Sequence, residues 1–182
     1  MSGPILYMTQ LRKPARKCLL VKALLTAALW TLAVLATVAH SAAPADLLRD
    51  FDRTQLIIDS SSHGCLLFDI YIANTRKKRS QGLMFIRSMD EYEGMLFIFS
   101  EPAEISMWMK NTLIPLDMLF INDQLEIITI HSNATPLSTD IISSGGTASG
   151  VIELNGGNAE KFGISPGDRI IFPTGQSGSG IF

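Results

Sequence analysis

Cysteine, histidine and net positive charge are all scarce in this sequence, and each scarcity closes off a class of function. Two cysteines occur, Cys18 and Cys65, in regions of different character. That excludes a disulfide framework as the basis of the fold, and zinc sites built on paired cysteines. Three histidines (His40, His63, His131) stand singly, with no nucleophile motif beside them. A Ser-His or Cys-His machine therefore lacks its parts. No glycine-rich phosphate loop leads into a helix. Ser106 and Lys110 are four apart in a strand-like run, which is not the spacing of a Ser–Lys dyad.

Long apolar runs are also absent, except at the N terminus. Arg12, Lys13, Arg16 and Lys17 precede Leu19–Ala39, which is apolar apart from Lys22 and a few threonines. Small residues follow in AHSAAPAD, with cleavage sites after Ser41 or Ala43. Residues 1–43 thus read as a secretory signal peptide. An uncleaved anchor is the alternative, because the run approaches the roughly 20 residues of a spanning helix. Either reading sends the remainder out of the cytoplasm, to the periplasm or beyond, and leaves residues 1–43 as the one link to a membrane.

Removing 43 of 182 residues leaves 139, enough for one domain, and takes five of the 15 Lys and Arg with it. The remainder has 10 basic against 17 acidic residues, a net charge of −7. Bulk charge argues against a nucleic-acid partner or an anionic bilayer surface. Cys65 is then alone and is expected to be buried as a small hydrophobe, since no cationic cluster flanks HGCLLF to activate a thiol.

Residues 44–54 read as a polar linker, 55–173 as the domain, and 174–182 as a flexible Gly/Ser-rich tail. Within the domain, short runs rich in Ile, Leu and Phe are bounded by Gly, Pro, Asn or Asp. They are TQLIID, CLLFDIYIAN, GMLFIFS, EISMWMK, LDMLFIN, LEIITIHS, SGVIELN and DRIIFP. Asn122-Asp123 marks a tight hairpin turn. Thr75 is positioned to cap a short helix limited by Gly82, and Asn158 a second one ending at Gly163. These signals predict a mainly β fold, a small sandwich or barrel of about seven or eight strands with one or two short helices.

The stretch SMWMKNTLIPLDMLF, Ser106–Phe120, concentrates the chemistry. On a strand, Ser106, Trp108 and Lys110 share one face, and Met107, Met109 and Asn111 the other. If LDMLF returns antiparallel after Pro115, Lys110 and Asp117 face one another and Trp108 covers Leu119. The bland outcome is a structural ion pair that closes the loop. The functional outcome is a pocket in which Lys110 receives an anionic or carbonyl group. Glu153 interrupts an apolar strand and is expected to pair with Arg79, Arg87 or Lys110, or with Asp117 as an acid/base couple. Met107 and Met109 are soft enough for Cu(I), but core filling is the ordinary use of methionine, and no His or Cys stands at ligand spacing.

In order along the chain, RSQGLMF, GMLFIF, WMKNTLIPLDMLFI, VIELNGG and GISPGD resemble the domain-of-unknown-function 192 family, over about Leu56 to Phe172. The resemblance implies a small mainly β domain, often exported, with no agreed activity. The positions it matches are Arg79, Trp108, Lys110, Asn111, Thr112, Asp117 and Glu153, with Gly82, Gly94 and Gly157. Two departures stand out. Ile86 occupies the place after GLMF where the family usually has arginine, and Lys77 and Lys78 precede Arg79 where an acidic residue is common.

The expected function is an exported domain, leaning away from catalysis and needing no cofactor. It binds a small ligand, a peptide or an envelope protein at a polar cleft around Lys110, Asp117 and Glu153. Arg79, Trp108, Asn111 and Thr112 complete the candidate site. The alternative is an envelope hydrolase or transferase using Lys110 with Asp117 or Glu153.

Overall fold

The computed structural model describes residues 47–173; the expected signal peptide and the tail lie outside the described residues. Seven strands form one sheet: β1 (Asp52–Ser60), β2 (Gly64–Ala73), β3 (Glu93–Met107), β4 (Leu116–Ile121), β5 (Ile127–Ala134), β6 (Ile142–Asn155) and β7 (Arg169–Ile171). Two short helices, α1 (Arg76–Gln81) and α2 (Asn158–Lys161), complete the mainly β domain. The order across the sheet is β5-β4-β6-β3-β2-β1-β7.

Most runs form where the sequence places them, but two of them fuse. GMLFIFS and EISMWMK belong to a single 15-residue strand, β3, whose exposed middle around Ser100-Glu101-Pro102 reads as a break. The pairing differs more. β2 and β3 run parallel, with Ile70 opposite Gly94 and Ile72 opposite Leu96. Strand β6 inserts between β3 and β4, so β3 and β4 are not partners. The expected hairpin of EISMWMK with LDMLF is therefore corrected. The chain after Met107 turns out of the sheet and re-enters one strand further along.

The curled sheet nearly closes on itself. The Ile127 amide donates to Asp168 O at 2.9 Å, the Gly167 amide to Ile127 O at 2.8 Å, and the Ile170 amide to Leu125 O at 2.8 Å. These bonds tie the start of β5 to β7, the opposite edge of the strand order. Partly closing the sheet in this way satisfies edge groups that would otherwise be open to another chain.

Both faces of the central strands are covered, which is why they read as unbroken apolar runs rather than alternating ones. All six residues of β4 are buried. One cluster contains Phe68, Ile70, Leu96, Leu119, Ile152 and Phe162. The other lies on the opposite face and joins Met95, Phe97, Met118, Phe120 and Val151 to Leu83, Ile86 and Met109 from the connecting loops. Leu48 and Phe51 also pack into it, and β1 starts at Asp52, so much of the predicted linker is part of the domain.

Thr75 caps α1 by accepting the Lys78 amide at 3.2 Å, and Gly82 ends it, as expected. Gly157 rather than Asn158 sits at the start of α2, and Asn158 is its first residue. Cys65 is half-buried rather than buried, and the expectation of a buried thiol is corrected to that extent.

Candidate functional site

The second core cluster is not solid. On its face a cavity of about 250 Å³ opens between α1, the loop after it, the end of β3 and the floor of the sheet. Glu153 lines it from β6. Its cross-strand neighbours are Met95 on β3 and Met118 on β4, both wholly buried, so the carboxyl rises from an apolar floor. Glu153 is 4% exposed, and among the described residues it has no hydrogen-bond or ion-pair partner. Burial pushes its carboxyl up from the ordinary 4.5 to about 8. A carboxylate that no cation or N–H compensates is costly in such surroundings, so the proton stays on. The expected pairing of Glu153 with Arg79, Arg87 or Lys110 is thus corrected.

Three cations line the same cavity: Arg76, Arg79 and Lys110. Arg79 is held in place. Its Nη1 donates to Ile98 O at 2.8 Å and to Asn74 O at 3.1 Å, and its Cζ lies 5.0 Å from the centroid of the Phe99 ring. A guanidinium carries five N–H groups, so donors remain after those two bonds. Lys110 is exposed and forms no ion pair among the described residues. Phe97, Phe99, Met84, Met107 and Trp108 supply apolar and aromatic wall. Trp108 is 53% exposed and sits at the rim rather than over Leu119, which is buried.

Asp117 is elsewhere. It is fully buried and accepts three backbone N–H groups: Asn133 at 2.8 Å, Gly157 at 3.0 Å and Ala159 at 2.7 Å. The carboxylate ties β5 and the first turn of α2 to β4, and compensates amides that the turn leaves open. The expected Lys110–Asp117 pair does not form, and neither does an Asp117–Glu153 couple. Successive β4 side chains point to opposite faces, so Met118 shares the face of Glu153 and Asp117 does not.

Asn111 and Thr112 build the loop that carries Lys110. Asn111 adopts a left-handed backbone (φ 60°), its carbonyl accepts the Phe85 amide at 2.8 Å, and its Nδ2 donates to Met84 Sδ at 3.7 Å. Thr112 is buried, lines the cavity, and its carbonyl accepts the Leu137 amide at 3.1 Å. Phe85 and Leu137 are themselves left-handed, at φ 65° and 64°. Three non-glycine residues in this region, joined through two adjacent peptide units, hold one loop in a strained but fixed shape.

The cavity thus gathers Arg79, Trp108, Lys110, Thr112 and Glu153 from the expected set and leaves Asn111 and Asp117 outside its lining. Arg76, Phe97, Phe99, Met84 and Met107 line it without having been singled out as a binding wall. Their signal was the basic run RKKR beside the GLM motif, but nothing in one sequence shows that α1 leans over the end of β3. Arg87 is exposed and does not line the cavity, while Ile86 is wholly buried in the core. Met109 is fully buried and Met107 half-buried, both in the same apolar cluster. No group of three His, Cys, Asp or Glu among the described residues is placed to hold a metal.

Comparison with known proteins agrees with this architecture. The model of the domain-of-unknown-function 192 family, described as an uncharacterised ACR family, matches residues 57–172. A crystal structure from Sinorhizobium meliloti 1021, named for a suspected role as a transcription regulator, is 41% identical. It covers 67% of this chain and 95% of its own, with a TM-score of 0.66. A protein of unknown function from Novosphingobium aromaticivorans DSM 12444 is 28% identical. It covers 78% of this chain and 100% of its own, with a TM-score of 0.67. No curated protein matches the chain.

Proposed function

The chain belongs to the domain-of-unknown-function 192 family, and from that premise we propose that it is an exported binding domain whose cavity takes a small ligand. One observation carries this reading: Glu153 is buried, has no partner among the described residues and lines an open cavity. Folds do not ordinarily bury a carboxyl in an apolar floor without an internal partner, and a ligand is the natural one. The fixed loop at Asn111–Thr112 and the anchored Arg79 support it, since a wall that does not move loses little entropy on binding. A cavity of about 250 Å³ lies below the usual range for drug-sized ligands and favours a small molecule over a peptide.

Export rests on the basic segment, apolar run and small residues of 1–43. The net charge of −7 beyond position 43 gives no support to carrying over the regulator name of the Sinorhizobium protein. A second reading draws on Glu153 alone. A carboxyl that keeps its proton at neutral pH is suited to general acid catalysis, and the domain would then be an envelope hydrolase or transferase.

Native mass spectrometry of the chain purified from its own envelope fraction tests the main reading. A bound small mass that Glu153→Leu abolishes is expected. Recovery of the chain in the cytoplasmic fraction would refute export. A bound species identical in the parent and in Glu153→Leu would refute the site. Turnover of that species, lost in Glu153→Gln, would replace binding with catalysis.

A further inference from the structure

We infer that the ligand of this cavity is a small organic anion with an apolar body, its charge met by Arg76, Arg79 and Lys110 and an uncharged acceptor met by Glu153. The inference rests on the binding reading above and adds the ligand's chemical class.

The charge inventory of the wall is lopsided. Three cations line the cavity, and Glu153 is the one carboxyl among its lining residues. None of the three cations is ion-paired with a carboxylate among the described residues. Their neighbours in the basic run are arranged differently: Lys78 reaches Asp52 at 2.8 Å. The positive field in the cavity is therefore left uncompensated by the described residues.

Glu153 does not reverse this sign. Burial keeps its proton on at neutral pH, so it offers an O–H donor rather than a negative charge. A cationic ligand would have to ionise that carboxyl while sitting among two guanidiniums and an ammonium. An anion faces no such conflict, and guanidinium forks suit a planar carboxylate or a phosphate. The remaining wall fixes the rest of the molecule. Phe97, Phe99 and Leu83, with the thioethers of Met84 and Met107, accept an apolar body, and Trp108 stands at the rim. The acceptor that reaches Glu153 is a carbonyl, ether or hydroxyl oxygen.

The test uses the full chain with methyl-labelled methionine. The Met84 and Met107 methyls report the cavity, and the buried Met109 serves as a control. Three skeleton-matched sets are titrated at pH 7: 3-phenylpropionate, hexanoate and 4-oxopentanoate, each beside its amide and its amine. At least one acid is expected to shift Met84 and Met107 with an affinity about 10-fold or more above its amide and amine. Arg76→Gln and Lys110→Gln are each expected to weaken that acid about 3-fold or more. Glu153→Gln, which keeps an uncharged donor, is expected to hold the affinity within about 3-fold. An amine or amide that binds more tightly than its acid at the same methyls overturns the anion assignment and leaves the binding reading standing. An acid lost in Glu153→Gln overturns the neutral-donor role. Silence at both methyls throughout the panel overturns the anion assignment and the cavity reading together.

Discussion

Asp117 and Glu153 both carry carboxyl groups on neighbouring strands, one residue out of register, and the fold treats them in opposite ways. Asp117 receives three backbone N–H groups and holds β5 and α2 against β4. Among the described residues Glu153 receives none, and it lines the cavity. The difference lies in which face each occupies. The face of Asp117 ends where two chain segments leave amides unpaired, so a carboxylate stabilises them. The face of Glu153 is a cluster of thioethers and rings that offers nothing in return. Burial alone does not tell a compensated carboxyl from an uncompensated one; the count of donors around it does.

The largest expected effect breaks the structural half of that contrast. Asp117→Ala should cost about 5 kcal/mol or more, since three charge-assisted bonds vanish and their amides stay buried. Urea unfolding measures it, and a loss under about 1 kcal/mol would mean that water replaces the carboxylate easily. The next effect belongs to Glu153 and to pH. In the folded chain it holds its proton up to about pH 8, while an unfolded glutamate releases it near 4.5. The stabilisation from this raised group is complete below 4.5 and is lost as pH rises to about 8. The parent should therefore lose about 3–5 kcal/mol across that window, and Glu153→Gln should remove that part of the slope. Unfolding midpoints at pH 5 and pH 8 decide it; identical slopes in parent and variant would show that the carboxyl has a partner after all.

Smaller effects sharpen the picture of the cavity wall. Gly82 ends α1 at φ 48° and ψ −140°, and a Cβ there would come within 3.1 Å of the Phe97 ring. Gly82→Ala should cost about 1–3 kcal/mol and displace Arg79, seen as a lower Tm and a shifted Arg79 side-chain NMR signal. The smallest change is expected from Lys110→Gln and Trp108→Ala, each within about 0.5 kcal/mol in thermal melts, because both side chains are exposed. A larger loss in either would mean that the rim supports the fold and is not reserved for a ligand.

The strands were legible because Ile, Leu and Phe runs end at Gly, Pro and Asn, and the caps at Thr75 and Gly82 because their chemistry is local. Partnership was not legible. Reading LDMLF as the return of EISMWMK assumes that neighbours in sequence are neighbours in the sheet, and β6, later in the chain than both, separates them. The same gap hid the role of Asp117, whose donors come from positions 133, 157 and 159. Glu153 was visible as a carboxylate that a buried strand must compensate. That it lines a cavity, with no partner among the described residues, depends on how α1 and the loops cover the sheet, and no local pattern encodes that.

The seam between β7 and the start of β5 also bears on how the molecule comes into being. Ile57 is hydrogen-bonded alongside Ile171, so the two ends of the domain must meet before the sheet is complete. A chain made from its N terminus carries β1 with one flank unpaired until the final strand appears. Closing a loop of that length costs entropy that grows only slowly with its size, so the wait, more than the cost, is what matters. The last three-residue strand gives β1 its second partner, and its arrival brings the sheet near to closure.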